Sequence, residues 1–226
     1  MKQVAFKSIF NFKYLIYLYV FIGFSLIHAG SYEAFFKAVK DDDTAQVGAL
    51  LSRGFDPNTL GPGGSVGLML ALQESAFKVV HVLVNHPKIK VEVRNAADES
   101  PLMLAALKGE TALCQLMIQK GAEVNKTGWT PLHYAASNGH LEVINLLLDK
   151  YAYIDAASPN GTTPLMMAAL YGTPAAVKLL LEAGADPMLK NDQGLNAVDY
   201  ANRGERKDSA NIISTFIRGR QPKGAW

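Results

Sequence analysis

The 226-residue sequence is poor in the side chains that build metal sites. It contains one cysteine, Cys114, so no disulfide can form within the chain. Four histidines follow residue 28, namely His81, His86, His133 and His140, and their spacing is not that of a zinc site. We therefore predict no metal and no cofactor, and we interpret Cys114 as a small buried core residue rather than a reactive thiol.

An excess of charge of one sign is also missing. The chain has 22 basic and 20 acidic residues, and its first 29 residues hold three lysines and no acidic residue. The remainder therefore carries 19 basic against 20 acidic residues, a net charge of −1. Binding to a nucleic-acid backbone requires a basic surface. The sequence thus predicts no nucleic-acid partner.

Motifs for catalysis are nearly absent, since no phosphate-cradling loop and no paired carboxylate site is found. The segment Gly63-Gly64-Ser65-Val66-Gly67 matches the G-x-S-x-G pattern of a serine nucleophile. That pattern works only after a buried strand of a parallel sheet, and the sequence shows neither. We predict that the protein is not an enzyme, and a hydrolase using Ser65 is kept as an alternative.

The one long apolar run lies near the N-terminus, over residues 14–27. It follows Lys2, Lys7 and Lys13 and precedes the small residues Ala29-Gly30-Ser31, which is the order of a secretory signal peptide. As a helix the run would be about 21 Å long, short of the ~30 Å of a bilayer core. We predict a signal peptide over residues 1–29 and export to the periplasm. The alternative is an uncleaved N-terminal anchor, and only then would the protein contact the membrane.

A repeated motif fills most of the remaining chain. Its best copy is the segment 130–136, which reads Thr-Pro-Leu-His-Tyr-Ala-Ala. The leucine position recurs with steps of 33, 34, 30, 33 and 33 residues at Phe35, Leu68, Leu102, Leu132, Leu165 and Val198. This motif and period are typical of ankyrin repeats. The chain resembles the ankyrin-repeat family over about residues 31–218.

The resemblance implies an all-α fold: a solenoid of about six helix-turn-helix units joined by β-hairpin fingers, the first and last being degenerate caps. The ankyrin-repeat domain would span residues 30–218, followed by a flexible tail over 219–226. The units fall approximately at 31–60, 61–94, 95–126, 127–157, 158–190 and 191–218.

Local departures from the repeat give further expectations. Thr130 and Pro131 favour a capped helix start, and two other copies replace the motif histidine with Met103 and Met166. The finger over 125–129 is about three residues short. Tyr151 stands where the resemblance implies a glycine at a left-handed helix end, so we expect backbone strain there.

Members of the family bind proteins through the concave face. The resemblance places the following residues on that face: Leu107, Lys108, Trp129, Ser137, Asn138, Leu170 and Tyr171. The apolar ones would form an anchoring surface, although Trp129 could instead fold over the short finger and join the core. The implied partner of this monomer is another protein, either a periplasmic catalase or a cognate toxin.

Overall fold

The computed structural model describes residues 30–220, so the predicted signal peptide and residues 221–226 of the predicted tail lie outside it. Twelve helices occur in the described part, joined by loops and one short 3-10 turn (Pro62–Gly64). The helices are α1 (30–40), α2 (Thr44–Ser52), α3 (Gly67–Gln73), α4 (Phe77–Asn85), α5 (Pro101–Lys108), α6 (Thr111–Gln119), α7 (Pro131–Asn138), α8 (Leu141–Asp149), α9 (Pro164–Leu170), α10 (Pro174–Glu182), α11 (Ala197–Arg203) and α12 (Lys207–Arg220). Among residues 30–220, no helix is long and apolar enough to cross a membrane.

The helices form two rows. Helices α3, α5, α7, α9 and α11 contact one another in order and form an inner row. Helices α2, α4, α6, α8, α10 and α12 do the same and form an outer row. Each inner helix also packs on the outer helix that follows it in the chain. The fold is therefore an all-helical stack in which most contacts join neighbouring segments of the sequence.

The inner helices α5 and α9 begin at side-chain caps that the sequence provides. Ser100 Oγ accepts the Met103 N–H at 3.2 Å, and Thr163 Oγ1 accepts the Met166 N–H at 3.3 Å. A proline follows each of these caps at a position where its missing N–H costs nothing. Asp43 caps α2 in the same way, since its Oδ1 accepts the Gln46 N–H at 2.9 Å.

The core lies between the two rows and is built from the repeated apolar positions. Leu68, Leu102, Leu132 and Leu165 occupy the motif leucine position, and each is fully buried. The alanine pairs of α5, α7 and α9 are equally buried, because their small side chains let neighbouring inner helices approach closely. Cys114 lies in this core, as predicted, and burial raises the pKa of its thiol to about 12.

The loops that precede the inner helices are closed by turns. Within residues 30–220 no β-strand forms, and a single antiparallel bridge joins Leu60 to Val66. Four loops share one closing bond between residues four apart, at 2.7 to 3.1 Å, from the N–H of Gly61, Asn95, Ser158 or Asn191 to the carbonyl of Ser65, Glu99, Thr162 or Leu195. No such bond closes the loop over 125–129 in the part of the chain described, in line with its missing residues.

The motif histidine joins two repeats. His133 is fully buried, and its Nε2 lies 3.0 Å from the Thr162 carbonyl oxygen. Its Nδ1 accepts the Thr130 N–H at 3.2 Å. In the sister repeats the sulfur of Met103 or Met166 takes the equivalent N–H, from Ser100 at 3.3 Å and Thr163 at 3.4 Å. Methionine thus preserves the hydrogen bond to the N–H of the helix cap within the repeat, but it does not make the hydrogen bond by which His133 links to the next repeat.

Tyr151 adopts the predicted left-handed conformation, with φ of 61°. The glycines at the corresponding ends of α2, α6 and α10, namely Gly54, Gly121 and Gly184, also have positive φ, between 93° and 107°. The tyrosine ring is 85% exposed and offers no packing to compensate for the backbone strain.

Candidate protein-binding face

The inner row carries a band of apolar side chains that the outer row does not cover. Leu107, Tyr134, Met167 and Leu170 are each half-buried and follow one another across α5, α7 and α9. Leu104 lies beside them with a small residual exposure. The band spans three consecutive inner helices and continues to the more exposed Tyr171 at the end of α9, and Lys108 lies at its edge. We give the name inner-row band to Leu104, Leu107, Tyr134, Met167, Leu170 and Tyr171.

Three predicted site residues lie at the C-terminal ends of α5, α7 and α9. Lys108, Asn138 and Tyr171 are all exposed, Tyr171 to 58%. Asn138 Nδ2 donates to the Leu107 carbonyl oxygen at 2.8 Å, so this amide ties α7 to α5. Within the described part of the chain, the Lys108 and Tyr171 side chains make no such link between helices.

Ser137 lies in the predicted site but offers little surface to a partner. It is 9% exposed, and its Oγ donates to the Tyr134 carbonyl oxygen one turn earlier, at 2.8 Å. A serine hydroxyl that bonds its own helix is satisfied locally.

Trp129 is half-buried. Its burial is therefore intermediate between the two alternatives that the sequence left open, a surface anchor and a core residue. Its ring meets the His133 ring edge to face, with centroids 5.2 Å apart and an interplanar angle of 76°. The indole therefore covers the N-terminal end of α7 and shields the buried histidine. Part of the ring remains accessible at the short loop.

Sequence reasoning missed the fifth motif position, which contributes Leu104, Tyr134 and Met167 to the band. The Tyr134 hydroxyl donates to Glu99 Oε1 at 2.8 Å, and Asn95 Nδ2 donates to Glu99 Oε2 at 2.7 Å. Burial and the neighbouring Glu99 carboxylate raise the pKa of Tyr134. Tyr134 is thereby held in place and stays neutral. The sequence signal that could have identified this position is that its residue varies between copies of an otherwise constant motif.

The structure does not supply the surroundings that catalysis by Ser65 would need. The segment before Ser65 is the 3-10 turn and not a buried strand. Ser65 Oγ makes no hydrogen bond with any described group, so no base contacts it. Among residues 30–220, no group of three or more histidine, cysteine or acidic side chains is placed to hold a metal ion.

Family models for ankyrin repeats match the chain twice. A model described as ankyrin repeats in three copies matches residues 68–158, and one described as ankyrin repeats in many copies matches residues 154–201. Together they cover more than half of the chain.

Curated relatives share the repeats and are much longer. The nuclear factor NF-kappa-B p105 subunit is 31% identical in Mus musculus, over 65% of this chain and 16% of the relative. Its Gallus gallus counterpart is 30% identical, over 74% of this chain and 18% of the relative. The transient receptor potential cation channel subfamily A member 1 of Homo sapiens is 28% identical, over 68% of this chain and 15% of the relative. The chain thus spans less than a fifth of these relatives.

Two bacterial structures match over nearly their full length. One belongs to a Bdellovibrio bacteriovorus complex of a predatory endopeptidase with an immunity protein, with a TM-score of 0.69 and 29% identity over 80% of this chain and 97% of the matched chain. The other is an ankyrin repeat domain from Acinetobacter baumannii AYE, with a TM-score of 0.69 and 24% identity over 81% of this chain and 97% of the matched chain. Motif, helix stacking and both family models agree, and the chain belongs to the ankyrin-repeat family.

Proposed function

We propose that the protein is an exported, non-catalytic module of six ankyrin units that binds a partner protein through the concave face of its middle repeats. Over the residues that the structure describes, two helices occur in each of the six predicted units. The inner-row band carries the proposal, because its side chains are apolar and partly exposed where polar residues would serve solubility equally well.

The band has the composition of an interface centre. Tyr134 and Tyr171 supply aromatic anchors, and Leu107, Met167 and Leu170 supply apolar area around them. Three charged groups lie at its edges: Lys108, the Arg206 guanidinium, which donates to the Tyr171 carbonyl oxygen at 3.0 Å, and the Glu99 carboxylate, which already accepts two hydrogen bonds. The apolar side chains of the band carry no formal charge, so a partner that contacts them alone loses little charge solvation. Burying these side chains is the main expected source of affinity.

Between the two partner classes that the sequence left open, one of the solved bacterial structures favours the toxin. The matched chain from Bdellovibrio bacteriovorus belongs to a complex of an endopeptidase with an immunity protein. By analogy, this protein would bind a hydrolytic enzyme of the same cell and block it. A periplasmic catalase is the alternative partner.

The test is capture of the partner from a periplasmic extract, identification by mass spectrometry, and measurement of its affinity for purified variants. We expect Trp129→Ala with Tyr171→Ala to weaken binding by at least about tenfold, because Tyr171 is exposed, part of the Trp129 ring is accessible, and aromatic anchors at an interface contribute ~2 kcal/mol each. Tyr171→Ala alone should retain the melting temperature, since its ring is 58% exposed.

Leu60→Ala is the matched control, because it removes a comparably exposed hydrophobic side chain, 62% against 58%, from the loop before α3, which contributes no residue to the inner-row band. Affinity unchanged by the double variant would show that the partner uses a different face. Loss of folding in the double variant, with full affinity in Tyr171→Ala, would assign Trp129 to the core and remove it from the site.

Export rests on the order of charged, apolar and small residues over 1–31. We expect the intact mass of the periplasmic protein to correspond to a chain that starts at Gly30 or Tyr32. A membrane-bound chain that starts at Met1 would show the uncleaved anchor instead.

A further inference from the structure

A second apolar surface lies away from the inner-row band, on the loops that follow α8 and α10. Six large hydrophobic side chains are exposed among residues 30–220, and four of them are on these two loops. They are Tyr151, Tyr153, Met188 and Leu189, exposed to 85%, 68%, 55% and 38%. Such a concentration in two short loops is unexpected for scattered surface residues.

The two loops are neighbours in space. The Asp186 N–H donates to both carboxylate oxygens of Asp155, at 3.1 and 3.3 Å. Tyr153 lies two residues before the first aspartate, and Met188 lies two residues after the second. The Met188 N–H donates to Asp186 Oδ1 at 2.9 Å. The aspartates therefore sit between the tyrosine of one loop and the methionine of the next. We call the four apolar residues and the two aspartates the exit-loop patch.

The patch is negatively charged and lacks a cationic partner. No lysine, arginine or histidine nitrogen of the described residues lies within 4.0 Å of either aspartate carboxylate. The segments 149–157 and 183–192 together contain four aspartates and two lysines. Asp155 is half-buried, and burial raises the pKa of its carboxyl group. A cation brought to this carboxylate would gain more than at a fully solvated one.

We propose that the exit-loop patch binds a segment of a partner protein in which arginine or lysine side chains are flanked by apolar ones. The cationic head would lie on Asp155 and Asp186, and its methylene stem would cover the Tyr153 ring and the Met188 side chain. The flanking apolar residues would contact Tyr151 and Leu189. Arginine suits the site best because its planar group both stacks on an aromatic ring and forks onto carboxylates.

The repeats supply a variant that removes the charge and preserves the fold. Asn58 and Asn125 accept backbone N–H groups of the following unit, from Lys90 and Tyr153, both at 2.8 Å. Asp155 makes the same kind of bond to Asp186. Asp155→Asn should therefore keep the link between units, because the amide oxygen accepts the bond as it does in the sister repeats.

The test uses the full chain and two fluorescein-labelled peptides, acetyl-Leu-Arg-Leu-Arg-Leu amide and its counterpart with glutamate for arginine, with binding followed by fluorescence anisotropy. We expect the arginine peptide to bind at least about tenfold more tightly than the glutamate peptide. Tyr153→Ser, and separately Asp155→Asn with Asp186→Asn, should each weaken the arginine peptide by about tenfold. Tyr171→Ser, on the inner-row band, should leave its affinity unchanged.

Equal affinity for the two peptides would overturn the proposal. Unchanged affinity of Tyr153→Ser for the arginine peptide would overturn it as well, and this variant should fold normally because the tyrosine that it replaces is exposed. If Tyr171→Ser were the only variant to lose affinity for the arginine peptide, the peptide would bind to the inner-row band instead. Because the two surfaces share no residue, failure here leaves the function proposed for the band intact.

Discussion

Tyr151→Gly should make the protein more stable, although it deletes a large side chain. The tyrosine has φ of 61°, a conformation that costs an L-residue roughly 1–2 kcal/mol. Glycine would remove this cost and would itself lose roughly 0.5–1 kcal/mol through the greater freedom of its unfolded chain. Little burial is lost because the ring is 85% exposed. The net gain is then at most about 1.5 kcal/mol, with a central value of ~1 kcal/mol.

The two hydrogen bonds at this position involve only the Tyr151 backbone, so glycine keeps them. The Tyr151 N–H donates to the Leu148 carbonyl at 2.9 Å, and the Tyr151 carbonyl accepts from Asn125 Nδ2 at 2.8 Å. A gain of this size would raise the melting temperature by about 2–4 °C in a chain of this length. Urea unfolding followed by circular dichroism should show a higher midpoint with an unchanged slope.

Two further variants separate the backbone from the ring. Tyr151→Ala deletes the ring and keeps the strained backbone, so its stability should match that of the parent. Tyr151→Asn should be intermediate, because asparagine tolerates the left-handed region better than most residues. A stability loss shared by the glycine and alanine variants would refute the reasoning by showing that the ring packs. Equal stability of all four proteins would show that no strain is present.

Two other predictions follow from buried titratable groups. Burial lowers the pKa of His133 from 6.5 to about 4, so the folded state excludes a proton that the unfolded state binds. The contribution of His133 to stability should be complete above pH ~6.5 and should fall by about 3 kcal/mol as the pH approaches 4. His133→Met, which copies Met103 and Met166, should flatten this part of the curve of unfolding free energy against pH, and an unchanged slope would contradict the assignment. Cys114 is fully buried with its thiol pKa raised to about 12, so Ellman's reagent should modify it only as fast as the protein unfolds. Rapid modification of the native protein would show that the core opens at α6.

Features fixed by neighbouring residues in the chain were accessible from the sequence. The spacing of the motif identified the repeat family. The left-handed conformation of Tyr151 was expected from the glycines at equivalent positions. These features depend on hydrogen bonds and backbone sterics within one turn, which the same short pattern reproduces in every copy.

The surfaces depended on the tertiary structure. Ser137 and Tyr134 belong to the same helix, yet the predicted serine is nearly buried and the tyrosine that was not predicted is accessible. Trp129 was open to two interpretations because its burial depends on how the short loop meets α7. The exit-loop patch joins residues more than 30 positions apart and follows no motif. Exposure is decided by what the next repeat covers, and this depends on how whole units stack rather than on any local pattern.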